Sequence, residues 1–367
     1  MKKVCIVTAA RSEYGLLRWI IDYVHKDESL ELQLIVTGAH LSPEQGMTVN
    51  AIVDDGYPIR KKIDYLLSSD SDTGIAKSMG ICGISFADAF AELRPDIVVL
   101  LGDRYELLPI CNAALMMNIP IAHIGGGDVT EGAIDDHIRN AVTLMSSLHF
   151  PSVKSSYENV VRLIGTTENV FQVGETGLDN YIKLKLKSRD LLAEELSLDA
   201  NKKWVLVTLH PETKLSLADN LKMVSNVMDA VLSQENVEIV VSSANTDLGG
   251  IEINDYIRKL TKIHWVKSLG QLNYLSFMKN AACVVGNSSS GILETPILGI
   301  PTINVGNRQK GRHVCRNVIN CDANLSSIKQ SICHSLSHGL YPQDSFFGDG
   351  NSSERIYNYI KIFLNGV

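Results

Sequence analysis

The strongest constraint on the fold of this chain is a regular alternation. Short apolar, β-branched runs alternate with longer segments of helical period. Runs at Val4–Thr8, Leu32–Thr37, Ile97–Leu101, Ile119–Ile124, Leu148–Phe150 and Val170–Val173 read as strands. Between them, Glu13–Val24, Ile75–Leu93, Glu106–Met117 and Asp135–Leu144 read as helices. The series pauses at a charged helix, Arg189–Leu196, and a polar turn, Leu198–Asn201. It restarts with strands at Trp204–Leu209, Val237–Ser242, His264–Val266, Ala282–Val285 and Thr302–Val305. Helices are predicted over Leu215–Leu232, Asn273–Lys279 and Ile292–Leu298, and a last one over Arg355–Leu364, capped by Ser352 or Ser353. Continuous apolar strands separated by crossover helices make parallel sheets covered on both faces. The expected class is therefore α/β: two doubly wound Rossmann-like domains, with an interdomain cleft at the C-terminal edges of their strands. The boundaries fall at 1–180 and 181–350, and a C-terminal helix at 351–367 packs back on the first domain.

Size agrees with two cores, since 367 residues at 45% hydrophobic exceed the usual single domain. The net charge of −7 disfavours a nucleic-acid partner, so any anionic ligand must be met by local cations. Seven cysteines are scattered without a CxxC pair, and Cys5, Cys82, Cys111 and Cys283 lie in apolar stretches. That pattern indicates a reducing cytoplasm and speaks against a disulfide framework or a structural zinc site. The opening Met1–Val7 has the look of a signal peptide, but its apolar run is short and Arg11-Ser12-Glu13 interrupts it. No run approaches membrane-spanning length.

Chemistry is expected where strands end. Gly286-Asn287-Ser288-Ser289-Ser290-Gly291 joins a buried strand to a helix. Small residues there let backbone N–H groups approach an anion, the helix N-terminus adds positive potential, and three serines add hydroxyl donors. Glu294 follows one turn later, an acceptor suited to a ribose diol. Phosphate plus ribose means a nucleotide; the plainer alternative is a Ser-capped turn. Downstream, Arg308, Lys310 and Arg312 put three cations in the loop after Thr302–Val305, at the edge where open α/β sheets bind ligands.

In the first domain the Thr8–Gly15 turn has neither GxGxxG nor a Walker lysine. Arg11 there either meets a phosphate or pairs with Glu13 at the surface. Leu101-Gly102-Asp103-Arg104 places Asp103 and Arg104 at a strand end, where Asp103 is a site residue or an N-cap of the helix that follows. After His123-Ile124-Gly125-Gly126-Gly127, the acids Asp128, Glu131, Asp135 and Asp136 crowd together. Such carboxylates raise one another's pKa and suit acid/base work. Mg²⁺ ligation and simple helix-dipole stabilisation are the rival readings. His210 ends the first strand of the second domain, and Ser243-Ala244-Asn245-Thr246-Asp247 ends the next.

Together these segments resemble the hydrolysing UDP-N-acetylglucosamine 2-epimerases of sialic-acid and legionaminic-acid biosynthesis. The resemblance runs nearly end to end: TGAHL at Thr37–Leu41, GDRYE, HIGGGDVTEGAIDD, HPET, GNSSSG, GNRQKGR and the terminal GDGN. It implies a glycosyltransferase-B-type fold, with UDP on the second domain and the sugar facing the first. Ser288 and Ser289, with Ser290 and Gly291, would meet the pyrophosphate, Glu294 the ribose, and Arg308 and Arg11 phosphate oxygens. Arg104 and Asn245 would contact substrate, and uracil would lie against the backbone from Val266 through Ser268 to Leu269. Asp103, Asp128, Asp135 and Asp136 would form the acid/base set, and His210 would stabilise the departing UDP. Gly125 stands where non-hydrolysing relatives carry a catalytic Glu, and Asp128 where related chains often have Glu. The implied reaction converts UDP-GlcNAc and water to N-acetylmannosamine and UDP, with no metal or other cofactor. The same reaction on UDP-N,N′-diacetylbacillosamine is the alternative. A non-hydrolysing epimerase, a glycosyltransferase of the same fold and a non-catalytic nucleotide-sugar sensor stand behind these. A homodimer or homotetramer is expected by the same likeness.

Overall fold

The computed structural model describes residues 1–43, 46–69, 71–129, 134–212, 214–245 and 249–366. The chain divides into two compact units, Met1–Asp179 with Gly348–Val367, and Asn180–Phe347. The first unit carries strands β1 (Lys2–Thr8), β2 (Leu30–Thr37), β3 (Ile59–Ile63), β4 (Ile97–Leu101), β5 (Ile121–Ile124) and β6 (Leu148–Phe150). Between them run helices α1 (Arg11–Lys26), α2 (Val49–Asp54), α3 (Asp72–Leu93), α4 (Leu107–Met116), α5 (Asp135–Met145) and α6 (Lys154–Ile164). Helix α7 (Asp179–Lys183) bridges the boundary. The second unit holds α8 (Arg189–Leu196), β7 (Lys203–Thr208), α9 (Leu217–Leu232), β8 (Val237–Ser242), α10 (Gly250–Ile257), β9 (His264–Val266) and α11 (Gly270–Asn280). There follow β10 (Cys283–Gly286), α12 (Ser290–Leu293), α13 (Thr295–Leu298), β11 (Thr302–Val305), β12 (Val318–Cys321) and α14 (Leu325–His338). Helix α15 (Ser352–Asn365) closes the chain.

Both sheets are parallel and six-stranded. Their orders are β3-β2-β1-β4-β5-β6 and β12-β11-β10-β7-β8-β9. Each order reverses direction once, between β1 and β4 and between β7 and β10. In doubly wound sheets the crevice for a ligand opens at that reversal, beyond the strand C-termini. The loops that flank the two reversals carry Arg11, Asp103, His210 and Ser288.

Side-chain alternation fills both faces of the first sheet. Val4 and Ile6 of β1 point into one core with α1, and Cys5 and Val7 into the opposite core with α3 and α4. In the second unit Val205 and Val207 of β7 pack with α9 and α14. Trp204 turns to the other face, stacked 5.1 Å from Phe277 and covered by the Arg189 guanidinium at 3.9 Å.

Several sequence readings change. Val170–Val173 is no strand; it makes one bridge, Val170 to His149. Strands β3 and β12 were not anticipated, because Ile59–Ile63 is interrupted by charge and Val318–Cys321 by Asn320. The helix expected over Ile292–Leu298 is two helical turns, α12 and α13, separated at Glu294, with Pro296 in the first turn of the second. Neither Ser352 nor Ser353 caps α15. Both lie within it and donate their N–H groups, at 2.9 and 2.7 Å, to the buried Asp179 carboxylate. That remote carboxylate caps the helix and complements its dipole. Ile356 and Ile360 of α15 join the core with α1.

Candidate functional site

In the second unit the end of β10 turns sharply at Gly286. Its φ is +144°, and a Cβ there would stand 1.9 Å from the Thr208 carbonyl oxygen, so only glycine fits. The next residue, Asn287, is fully buried. Its amide accepts from the His210 N–H and donates to the His210 carbonyl, both at 2.8 Å. One side chain thus joins the two loops that flank the reversal between β7 and β10. Beyond it, the Ser288 and Ser289 N–H groups have no backbone acceptor among the described residues. Ser290 is buried, its hydroxyl 2.6 Å from the Tyr274 hydroxyl and 3.1 Å from that of Ser288. Because α12 is a single turn, Gly291 and its neighbours offer an anion backbone and hydroxyl donors more than a macrodipole.

Glu294, partly buried, accepts from the Tyr181 hydroxyl at 2.7 Å. Burial pushes its carboxyl up to about 7, against the opposing pull of that hydrogen bond. Arg308 reaches the Asn287 carbonyl at 3.3 Å. Its loop is pinned by the buried Glu212 carboxylate, which accepts from the N–H groups of Asn307 at 2.8 Å and Arg308 at 3.2 Å. Lys310 and Arg312 do not join Arg308; they line a separate cavity with Asn304 and Asn320. His210 Nδ1 accepts from the Asn245 N–H at 3.1 Å. The ring proton of neutral His210 therefore sits on Nε2, a hydrogen-bond donor. The Val266 carbonyl accepts from the Ser243 N–H at 3.0 Å, and the Ser268 hydroxyl from the Gly270 N–H at 3.2 Å. Thr246, Asp247 and the Thr213 of HPET lie outside the described residues.

In the first unit the organising residue is Arg139, which was not singled out from sequence. Its side chain is only 5% exposed. It donates to the Asp103 carboxylate, to Asp136 at 2.5 Å and to the backbone carbonyl of Asp128 at 2.6 Å. Asp103 is thus no N-cap; α4 begins after Glu106, without a side-chain cap. The Asp128 carboxylate accepts from the Ser156 hydroxyl, and Asn159 holds the neighbouring Gly127 carbonyl at 2.8 Å. Asp135 makes no hydrogen bond or ion pair among the described residues. Its pKa is raised by partial burial and by the charges of Asp103 and Asp136, with Arg139 pulling the other way. Buried His123 ties the two loops together. Its Nε2 lies 2.8 Å from the Gly102 carbonyl and its Nδ1 3.1 Å from the Thr143 hydroxyl. Burial drives its pKa down to about 4, so it is neutral and structural. Glu131 lies outside the described residues.

The alternative pairing of Arg11 with Glu13 is absent. Arg11 starts α1, exposed, while Glu13 turns inward, accepts from the Ala9 N–H at 2.8 Å and faces Arg104 at 3.3 Å. Arg104 Nε also donates to the fully buried Glu106 at 2.5 Å. Burial lifts the Glu13 carboxyl to about 7. Among the described residues no group of three or more His, Cys, Asp or Glu side chains is arranged to hold a metal ion. None of their helices is long and apolar enough to cross a membrane. Sequence reasoning missed Asn287, Glu212, Tyr181 and Arg139. The first two stood inside quoted motifs and carried a signal. Tyr181 and Arg139 gave none, since each acts on a residue far away or on another turn of its helix.

Two parallel, doubly wound six-stranded sheets define a two-domain α/β fold of the glycosyltransferase-B kind. The UDP-GlcNAc 2-epimerase of Neisseria meningitidis, solved bound to UDP-GlcNAc, shares that fold at a TM-score of 0.75 and 17% identity, covering 98% of this chain and 99% of that one. The sequence profile of the UDP-N-acetylglucosamine 2-epimerase family matches residues 22–361, and the chain belongs to this family. The GDP/UDP-N,N′-diacetylbacillosamine 2-epimerase (hydrolyzing) of Campylobacter jejuni is 38% identical over 88% of this chain and 85% of its own length. The UDP-N,N′-diacetylbacillosamine 2-epimerase (hydrolyzing) of Legionella pneumophila is 32% identical over 98% of this chain and 96% of its own.

Proposed function

We propose that the protein is a hydrolysing 2-epimerase of a UDP-linked 2-acetamido sugar, releasing UDP and the free 2-epimeric sugar. The observation that carries this reading is one buried arginine at the strand edge of the first unit, holding the Asp103 and Asp136 carboxylates and the Asp128 carbonyl, with Asp135 electrostatically coupled to the same set. A nucleotide-binding module needs no such cluster; proton transfer at a sugar carbon does. The second unit holds UDP: diphosphate at Ser288–Gly291 and Arg308, ribose at Glu294, uracil along Val266–Leu269.

A carboxylate removes the sugar C2 proton while the C1–O bond to UDP breaks, giving UDP and a 2-acetamidoglycal with its double bond between C1 and C2. Negative charge gathers on the departing diphosphate, and His210 Nε2–H, Arg308 and the serine-loop N–H groups stabilise it. Water then adds at C1 and a proton returns to C2 from the opposite face. Asp103, held by Arg139, suits the base. Asp135, with its raised pKa and no hydrogen-bond partner among the described residues, suits the acid that returns the proton. Asp128 and Asp136 set the position of that pair. Gly125 has φ +81°, a conformation that disfavours any side-chain-bearing residue, so the carboxylate that reversible relatives carry is disfavoured at this position.

For the sugar, the names of two relatives above 30% identity favour UDP-N,N′-diacetylbacillosamine over the UDP-GlcNAc that the sequence reading placed first, while a third, polysialic acid biosynthesis protein P7 of Escherichia coli at 34% identity, favours the sialic-acid branch. UDP-GlcNAc remains the second reading, supported by the family description and by the UDP-GlcNAc-bound structure of the same fold. The test is to incubate the protein with each UDP-sugar in D₂O and in ¹⁸O-water. The expected product is a free 2-epimer with deuterium at C2 and ¹⁸O at C1. Label in UDP, or recovery of an epimerised UDP-sugar without free sugar, overturns the reading.

A further inference from the structure

We infer that the cavity beside the Asn307–Arg312 loop of the second unit is a binding site for a small hydroxylated anion, separate from the nucleotide loop at Ser288. The cavity has a volume of about 520 Å³ and lies among the C-terminal ends of β11 and β12, that loop and α14. It is built to bind. Asn304 is 5% exposed, and its Nδ2 donates to Asn320 Oδ1 at 2.7 Å. The amide pair leaves Asn304 Oδ1 and Asn320 Nδ2 without partners among the described residues. Turning both amides over together preserves the bond and still leaves one donor and one acceptor free. Asn320 is exposed and neither free group is a buried unpartnered atom, so both are open to the cavity, where one hydroxyl can satisfy the acceptor and the donor at once. Ser331 and Gln330 add further polar groups at the wall.

Charge supplies the second half of the site. Lys310 and Arg312 face this cavity, and neither is ion-paired among the described residues; Asp322 is the single acid on the wall. In a chain of net charge −7 such a surplus has to be local to attract an anion. The loop divides its cations, Arg308 turning to Asn287 and the other two to the cavity. Between them, buried Gln309 lines the cavity and donates to the Asn287 carbonyl at 2.9 Å. The anion is a sugar phosphate or a sugar carboxylate; both present one charged group and a row of hydroxyls.

Glucose 6-phosphate and glucuronate serve as probes, with glucose and inorganic phosphate as controls, in ligand-observed NMR titrations with UDP at saturation. One of the two probes should bind at about 0.1–1 mM, and which one binds tighter identifies the anion. Glucose should not bind in that range. The double variant Lys310→Gln, Arg312→Gln should weaken the probe by about tenfold or more. Asn320→Ala, at an exposed position, should weaken the hydroxylated probe but not inorganic phosphate. Arg308→Ala should lose UDP and keep the probe, so failure of the nucleotide assignment is separable from failure of this one. Displacement of the probe by UDP, equal binding of glucose, or no binding at about ten times the expected range would each overturn the inference.

Discussion

At the scale of single residues, the geometry makes Asp103 the most exacting position. It shares Arg139 with Asp136, so Asp103→Asn removes a charge while leaving a side chain of the same shape. We expect kcat to fall by roughly a hundredfold or more, as for a lost acid/base group, with the dissociation constant for UDP unchanged. Activity within a few-fold of the parent enzyme means that Asp103 only positions Arg139. Glu294 makes a different kind of prediction. Its folded pKa of about 7 lies above the ordinary carboxyl value, so the folded state retains a proton that the unfolded chain releases. Stability therefore falls as pH rises from the ordinary carboxyl range through about 7, and the cost persists above it. Glu294→Gln should stabilise the protein by roughly 1–3 kcal/mol at pH 8, change little at pH 4, and weaken UDP binding. Thermal melts at the two pH values with a UDP titration check this, and equal shifts at both would remove burial of the charge as the cause.

At the scale of elements, the informative contacts are those that fasten one segment to another distant in sequence. Asp179 receives the first two N–H groups of α15 across more than 170 residues. Asp179→Ala leaves those donors buried and unpaired, at a cost of about 2–4 kcal/mol. Amide hydrogen exchange should quicken through Ser352–Asn365 before the rest of the first unit, and Asp179→Asn, keeping one acceptor, should fall between. Uniform exchange across the unit would show that the apolar contacts of Ile356 and Ile360 hold α15 by themselves. Asn287 does for two loops what Asp179 does for a helix, locking His210 to the serine turn in a fixed register.

At the scale of the whole molecule, one topology is used twice and furnished differently. The first unit puts carboxylates and a buried arginine beyond its strands; the second puts glycine, serine and a pinned arginine loop there. In the first unit, a divalent cation at Asp103 and Asp136 would have to displace the Arg139 guanidinium from both. Turnover should accordingly persist in excess EDTA, measured as UDP release; loss with rescue by Mg²⁺ would recast these acids as ligands. Sequence determined the two α/β series and the position of the candidate site residues at the ends of their strands. These are local matters: β-branched runs, helical period and the few residue types that tolerate a tight turn or bind a phosphate. Only the tertiary structure decided that Arg139 gathers Asp103 and Asp136, that Tyr181 meets Glu294, that Asp179 caps α15, and that Lys310 and Arg312 part from Arg308. Apart from the i,i+3 pair Asp136–Arg139 within α5, each of those pairings depends on which segments the fold brings together, and no spacing along the chain encodes it.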